Sequence, residues 1–399
     1  MLKGKKIILA VSGGIAAYKS VYLLRMLITQ GAEVKVILTE NAQAFVGTLT
    51  FSALSRQPVY TDVISNKATG EWTNHVALGK WADAFIVAPA TSVTISKILT
   101  GMADNLLVLS LMSADCPVFV APAMDLDMYT HSSNTENLSL LNQRGYHVID
   151  AEEGFLASGL VGKGRLASEA RIVEAIENYF LAPKKILAGK KVLVNAGPTH
   201  EALDPVRYLA NKSTGKMGYA LARAAQAMGA EVTLVTGPTA LEKPFGVKCI
   251  DVVSADDMYN ACVSEYMNAD LAIMSAAVAD YSPKHISDQK IKKKDSDLSL
   301  ELKKTKDVLA SLGEIKKDHQ CLVGFALETQ NAIEYGRGKM KRKNCNFIVV
   351  NTLEDSGAGF AHDSNKVYLL NDAGGEVDFP LQSKVTLAFK ILESIEKSL

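Results

Sequence analysis

The chain has little cysteine and no cysteine pair at metal-ligand spacing. Its five cysteines, Cys116, Cys249, Cys262, Cys321 and Cys345, are odd in number and widely spaced, with no C-x-x-C among them. That pattern excludes a disulfide framework and the common zinc motifs, and it predicts reduced thiols in a cytoplasmic protein. There is no surplus of charge either: 43 Lys and Arg stand against 43 Asp and Glu. Zero net charge argues against bulk binding of nucleic acid or a membrane surface, so any electrostatic function must come from a local patch. The N-terminus runs straight into an apolar stretch of five residues, Ile7 to Val11. Such a stretch is too short for a signal-peptide core or a membrane span. Neither strand–glycine turn carries G-x-G-x-x-G, and that disfavours a dinucleotide and a two-unit NAD(P) oxidoreductase.

What is present is 399 residues of ordinary globular composition, 48% hydrophobic and 22% charged. That length suggests two to three domains. Ile7–Val11 reads as a buried strand ending at Ser12-Gly13-Gly14. Ile15 to Gln30 has helical spacing with Gly31 as its C-cap, and Glu33–Thr39 is a second strand. Strand, glycine turn, helix and strand make a βαβ unit. Ala84–Ala88 and Val118–Ala121 are further strands, each followed by a Pro-Ala phrase at the carboxyl edge of the sheet. That edge is where open α/β folds bind ligands.

The pattern then restarts. Lys191–Asn195 is a strand ending in Ala196-Gly197-Pro198-Thr199, Gly215 to Met228 a helix, and Glu231–Val235 a strand. Gly-Ala-Glu-Val separates helix from strand in both halves, at Gly31–Val34 and Gly229–Val232. The fold class is α/β, with two Rossmann-like parallel-sheet domains. Their expected bounds are 1–182 and 190–399, joined by a linker at 183–189.

The stretch Lys284 to Lys306 carries eight lysines. It is open to two readings, a solvated face or a loop that neutralises a polyphosphate. Ser12-Gly13-Gly14-Ile15 sits where a helix N-terminus can bind phosphate, because small residues let the ligand approach the backbone. A merely structural turn would look the same. His75, in Asn74-His75-Val76 before a strand, is read alone as a packing residue.

The order of motifs says more. Ser12-Gly-Gly-Ile-Ala, Thr39, His75 before Trp81-Ala-Asp83, Ala88-Pro89-Ala90-Thr91, Gly101-Met-Ala-Asp-Asn105 and Pro122-Ala-Met124 follow in series. This series resembles the homo-oligomeric flavin-containing cysteine decarboxylases, so the first domain is expected to be flavodoxin-like. Asp204-Pro-Val-Arg207-Tyr-Leu-Ala-Asn211-Lys-Ser-Thr-Gly215-Lys-Met-Gly218, Ala276-Ala-Val-Ala-Asp280, Lys290-Ile-Lys-Lys293 and Gly324-Phe325-Ala-Leu-Glu-Thr329 come after. With them, nearly the whole chain resembles the bifunctional phosphopantothenoylcysteine decarboxylase/phosphopantothenate–cysteine ligase family of coenzyme A biosynthesis.

The resemblance implies FMN in the first half, at Ser12, Gly13, Gly14, Ile15, Thr39, Pro89, Ala90, Thr91, Asn105 and Met124. The cofactor carries the redox chemistry of decarboxylation and the protein orients substrate and handles protons, with His75 matching the catalytic histidine. Two positions depart from the family pattern. Its Pro-x-Met-Asn reads Pro122-Ala-Met124-Asp125, and its Ala-Cys-Gly flap reads Ala157-Ser158-Gly159. Asn donates a hydrogen bond to the substrate carboxylate and ionised Asp cannot. The flap Cys is the expected proton donor, and a serine hydroxyl is far less acidic than a thiol (about 8.5). Asp125 supplying the proton that Ser158 cannot is one reading; an impaired flavin half kept for assembly is the other.

For the second half the resemblance implies ligation of 4′-phosphopantothenate to cysteine through an acyl-cytidylate, using CTP and magnesium. Lys290 would neutralise developing phosphate charge, with Lys292 and Lys293 beside it, and Asp280 would contact cytidine or hold Mg²⁺. Asn211 would act on the acyl-cytidylate and Arg207 on a phosphate or carboxylate. The implied CTP contacts are Met274, Ser275, Ala276, Asp280, Lys290, Lys306, Asp307, Val308, Leu309, Phe325, Lys339 and Lys343. The family forms decarboxylase trimers and ligase dimers, hence a dodecamer with flavin sites at subunit interfaces. A flavin-binding regulatory subunit is the rival from another class, and it would not need Asn211, Asp280 and Lys290.

Overall fold

A computed structural model describes residues 2–66, 68–181, 185–292, 299–328, 331–352 and 362–398. The chain divides into two compact units, Met1–Phe180 and Leu181–Leu399. In the first, strands β1 (Lys6–Val11), β2 (Glu33–Leu38), β3 (Val59–Tyr60), β4 (Ala84–Ala90), β5 (Val118–Pro122) and β6 (His147–Val148) form one sheet. Their order is β3-β2-β1-β4-β5-β6, and every pairing is parallel. Leu9 lies opposite Val36 on one side and Ile86 on the other. The order is the doubly wound 3-2-1-4-5-6, not the 2-1-3-4-5 of a flavodoxin in the narrow sense.

Apolar runs without alternation are what such strands require, because helices cover both faces. Ile7, Leu9 and Val11 join one buried cluster, and Ile8 and Ala10 another. Each fully buried aliphatic side chain of this kind stabilises the fold by about 1.5–3 kcal/mol. The predicted helix from Ile15 begins as a 3₁₀ turn, Ile15–Tyr18, and becomes α-helical over Lys19–Thr29. Gly31 closes it with φ 86°, a left-handed value that glycine adopts without a Cβ penalty.

The second unit repeats the plan. Strands β7 (Lys191–Ala196), β8 (Glu231–Thr236), β9 (Lys248–Asp251), β10 (Leu271–Met274), β11 (Cys321–Glu328), β12 (Phe347–Thr352), β13 (Ser364–Asn371) and β14 (Glu376–Ser383) are ordered β9-β8-β7-β10-β11-β12-β13-β14. The first six in that order are parallel, and β13 and β14 are antiparallel. The sheet is therefore mixed rather than wholly parallel. The four-residue turn between β13 and β14 has room for a hairpin and none for a crossover. Part of the expected linker also belongs to this unit. Leu187 is fully buried in its core, and its backbone N–H donates to the Met228 carbonyl at 2.9 Å. Residues 182–184 lie outside the described residues.

Candidate functional sites at the two sheet edges

In the first unit the strand order reverses between β1 and β4, and the loops after these strands diverge there. A cavity of about 800 Å³ opens at this point. Its wall includes Gly13, Gly14, Ile15, Thr39, Pro89, Thr91, Asn105 and Met124, eight of the residues expected at a flavin site, together with Asp125. Ser12 and Ala90 are buried behind that wall. The Ser12 hydroxyl donates to the Pro89 carbonyl at 2.7 Å and accepts from the Thr91 N–H at 3.0 Å, so it ties the ends of β1 and β4 together. Thr39 and Asn105 each cap a helix, accepting from the N–H of Ala42 at 3.3 Å and of Val108 at 3.1 Å. Gly13 is required sterically, since a Cβ there would lie 2.7 Å from the Asn41 carbonyl carbon.

A two-stranded hairpin, Glu152–Phe155 with Val161–Arg165, lends Phe155, Gly164 and Arg165 to the same wall. It is anchored to the loop that bears Asp125. The Met124 N–H donates to the Gly164 carbonyl at 3.0 Å, and a Cβ on Gly164 would collide with the Met124 carbonyl. Asp125 lines the cavity with its Oδ1 buried and unpartnered among the described residues. Ser158, at the exposed hairpin tip, is outside the wall, and its hydroxyl accepts from the Leu160 N–H at 3.4 Å. His75 is also outside the wall. It begins the helix His75–Trp81, sets its ring edge-on to Trp72 at 6.3 Å, and keeps Nδ1 buried without a partner among the described residues.

Sequence reasoning missed two cations here. Lys19 and Arg165 both line the cavity. Burial pushes the Lys19 amine below its ordinary pKa, and repulsion from Arg165 adds to the effect. Lys19 stands one turn after the glycine loop, and Arg165 ends the Gly-Lys-Gly-Arg of the flap, so both were within reach of the motifs. A third cation on the wall, Lys97, is paired with Asp104 at 2.6 Å. The described thiols are poor nucleophiles at neutral pH, because burial raises Cys116 to about 11 and Cys262, Cys321 and Cys345 to about 12.

At the carboxyl edge of the second sheet, hydrogen bonds tie three loops together. The Ser275 hydroxyl donates to the Asn195 carbonyl at 2.6 Å, and the Ala276 N–H donates to the Asn195 side chain at 2.8 Å. The Asn211 amide donates to the carbonyls of Ala277 at 3.1 Å and Val278 at 3.2 Å. Asp280 is exposed, and its carbonyl accepts from the Thr305 N–H at 3.0 Å. Gly218, in the first turn of the helix Lys216–Ala227, packs against the end of β7, and a Cβ there would lie 2.6 Å from Ser275 Oγ.

Several expected CTP contacts have other occupations. Val308 and Leu309 bury their side chains in the core, which leaves only backbone for a ligand. Met274 is likewise buried at the end of β10. Asp307 caps the helix Val308–Ile315, accepting from Ala310 N–H at 2.8 Å, and pairs with Lys343. Lys339 donates to the Phe325 carbonyl at 2.8 Å, and the Phe325 ring packs on the core. Lys306 pairs with Asp256 at 3.3 Å and lies 4.7 Å from the Tyr259 ring centroid. Lys290 is exposed with no partner among the described residues. Lys293 and Thr329 lie outside the described residues.

Arg207 is not a free anion receptor. Its Nε donates to Asp204 Oδ2 at 3.0 Å and its Nη2 to the Ile291 carbonyl at 2.7 Å. This guanidinium, helped by backbone N–H donors, holds the Asp204 carboxyl well below the usual carboxylate range. A depressed folded-state pKa stabilises the fold above the unfolded value of about 3.9 and loses that contribution as pH falls. Acid unfolding of the second unit, followed by circular dichroism, is therefore expected to steepen below about pH 4, and Asp204→Asn to flatten that slope. An unchanged slope in the variant would count against the assignment.

Two doubly wound α/β units, the first with a cavity at its switch point, define a two-part α/β protein with a ligand-sized site at a sheet edge. A flavoprotein family model matches residues 1–181, and a model of the DNA/pantothenate metabolism flavoprotein C-terminal domain matches residues 187–399. The chain is 47% identical over 397 residues to the coenzyme A biosynthesis bifunctional protein CoaBC of Bacillus subtilis, covering 99% of this chain and 97% of that protein. To the CoaBC of Escherichia coli it is 40% identical over 397 residues, covering 99% and 97%. A crystal structure of a CoaBC C-terminal domain is 43% identical, with a TM-score of 0.47, and covers 54% of this chain and 98% of that one. The chain belongs to the CoaBC family of bifunctional coenzyme A biosynthesis proteins.

Proposed function

We propose that the second unit couples 4′-phosphopantothenate to cysteine with CTP, and that the first decarboxylates the product to 4′-phosphopantetheine with FMN. The observation that carries the flavin assignment is the switch-point cavity. Its glycine loop has no room for side chains at Gly13, apolar walls are supplied by Ile15, Pro89, Met124 and Phe155, and Lys19 and Arg165 are available for an anion. When bound, FMN supplies the oxidising and reducing equivalents that make the cysteinyl carboxylate a leaving group. Ile15 and Met124 would hold the ring and Thr39 and Asn105 the polar tail, while Asp125 faces the substrate.

Asp125 is a carboxyl group where the family carries an amide. Protonated, it can donate to the substrate carboxylate and deliver the proton that Ser158 cannot. On this reading Asp125→Asn lowers phosphopantetheine formation by about 10²-fold, the lower bound for loss of a general acid, and leaves bound flavin unchanged. A variant that turns over phosphopantothenoylcysteine at the parental rate would sink the assignment. The His75 of one subunit would serve a flavin held mainly by a neighbour, consistent with its place off its own chain's cavity wall. This requires decarboxylase trimers, and with ligase dimers it gives a dodecamer in the cytoplasm.

In the ligase, the phosphopantothenate carboxylate attacks the α-phosphorus of CTP and expels pyrophosphate. The cysteine amine then attacks the acyl carbonyl, a proton is lost from nitrogen, and CMP leaves. Lys290 neutralises charge on the triphosphate, and Asn211 holds the acyl-cytidylate beside the 276–278 loop. Phe325, Lys339 and Lys343 shape the cytidine end through their backbone and ion-pair contacts. No cluster of three or more His, Cys, Asp or Glu suited to a metal exists among the described residues. Asp280 therefore fits Mg²⁺ only as one ligand of an ion carried in by the nucleotide phosphates. Pyrophosphate release is expected to require CTP and phosphopantothenate together; release with ATP but not CTP would overturn the nucleotide assignment.

A further inference from the structure

We propose that Asp204 is a positioning residue for Lys290: with Arg207 it grips the backbone of Ile291 and so fixes where the neighbouring ammonium stands. The inference rests on the reading of Lys290 given above. Asp204 sits in the turn after the short strand His200–Ala202, and its side chain is 0% exposed. Its Oδ1 accepts the backbone N–H groups of Val206 and Arg207, each at 2.8 Å. Its Oδ2 accepts Arg207 Nε at 3.0 Å and Nη2 as well, and also the Ile291 N–H at 3.1 Å. Arg207 Nη2 closes the ring on the Ile291 carbonyl at 2.7 Å. Both backbone polar groups of Ile291 are thus held by one carboxylate–guanidinium pair. A further tie runs from the Ser287 N–H to the Leu203 carbonyl at 3.0 Å.

A lysine is a point charge on a flexible stem, so its backbone anchor decides where the charge can reach. Lys290 has no partner of its own among the described residues. Among the described residues, the hydrogen bonds nearest to it in the chain are this anchor on Ile291 and the Ser287 hydroxyl donating to the Gln289 carbonyl at 2.6 Å, and the anchor is the one that ties its neighbour to another loop. The guanidinium of Arg207 is paired with Asp204 and serves the grip. Charge-assisted hydrogen bonds of this kind are roughly twice as strong as neutral ones. Misplacing a reacting or stabilising group by about 1 Å can cost about 100-fold in rate.

The test uses the full chain with bound flavin, and reads initial pyrophosphate release against CTP concentration for Asp204→Asn, Lys290→Ala and the double variant. Asp204→Asn is expected to lower the maximal rate by about 10- to 100-fold with little change in the KM for CTP. The double variant should be no slower than Lys290→Ala, because with the ammonium gone there is nothing left to position. A staple that only stabilises the fold would instead add its loss to that of Lys290→Ala. That result, or a parental rate in Asp204→Asn, overturns the proposal. If Asp204→Asn does not fold, Ile291→Pro removes the N–H that Oδ2 accepts and leaves the 204–207 turn intact; the same two criteria apply to it. A parental rate in Lys290→Ala would show that the reading of Lys290 itself had failed, whatever Asp204→Asn does.

Discussion

Replacing Lys290 with alanine lowers pyrophosphate release from CTP by about 10²–10³-fold, the cost of removing one charge aimed at a developing oxyanion. The loss should fall on the maximal rate, because charge develops on the leaving pyrophosphate only as the acyl-cytidylate forms. Decarboxylation of supplied phosphopantothenoylcysteine should stay at the parental rate, since each unit has its own core and Lys290 belongs to the second. Stopped assays of pyrophosphate and of phosphopantetheine on the same preparation check both halves. A fall in the second activity as large as in the first would mean that the substitution damages the whole protein.

His75→Asn is expected to lower decarboxylation by about 10²–10⁴-fold, the range for loss of a general acid–base, with flavin content unchanged. The His75 Nδ1 is buried without a hydrogen-bond partner among the described residues, and a buried orphan of this kind is costly unless something completes it. Its place outside its own chain's cavity wall adds a sharper expectation. Mixing His75→Asn chains with chains whose cavity is blocked, for instance Gly13→Val, should restore activity in mixed oligomers. The active sites formed would then take histidine from one chain and flavin from another. Mixtures no more active than the separate variants would place the histidine with its own flavin or outside the reaction.

The parts of this architecture that were legible in the sequence are those governed by local rules. Ile7–Val11 and Lys191–Ala196 read as buried strands because both faces must be apolar, and Gly31 and Gly229 end helices because only glycine takes φ of 86° and 95° without strain. The antiparallel pair at Ser364–Asn371 and Glu376–Ser383 was not legible. The apolar run Val367-Tyr-Leu-Leu370 marks the first strand but not its direction, and the edge strand Glu376–Ser383 carries Glu, Asp and Gln around Pro380 with no apolar run of its own. Nor did sequence show that Leu187 is core, since a single leucine between lysines and a glycine looks like linker until the Met228 carbonyl is seen to receive its N–H.

Site chemistry was legible by motif and not by contact. The glycine loop, Pro89 with Thr91, and Asp125 gather around one cavity, although they come from three separate strand ends. Spacing could not tell which charged groups were already paired. Arg207 looked like a phosphate receptor and is committed to Asp204, and Lys343 looked like a cytidine contact and is held by Asp307. Val308 and Leu309 fell into the core because the helix they begin turns its apolar face inward. Lys19 and Arg165 went unassigned because a lone lysine in a helix and an arginine at the end of a hairpin read as solvated charges. Only the folded hairpin brings them to one wall.

The most direct test of the two-reaction account is a single incubation. The full chain is given CTP, 4′-phosphopantothenate and cysteine, and the products are identified by mass spectrometry. The account predicts pyrophosphate, CMP and 4′-phosphopantetheine, with phosphopantothenoylcysteine passing through as a transient. Phosphopantothenoylcysteine that accumulates and is never consumed would contradict the flavin half, leaving it a role in assembly only. Absence of pyrophosphate with all three substrates present would contradict the ligase half and, with it, the account as a whole.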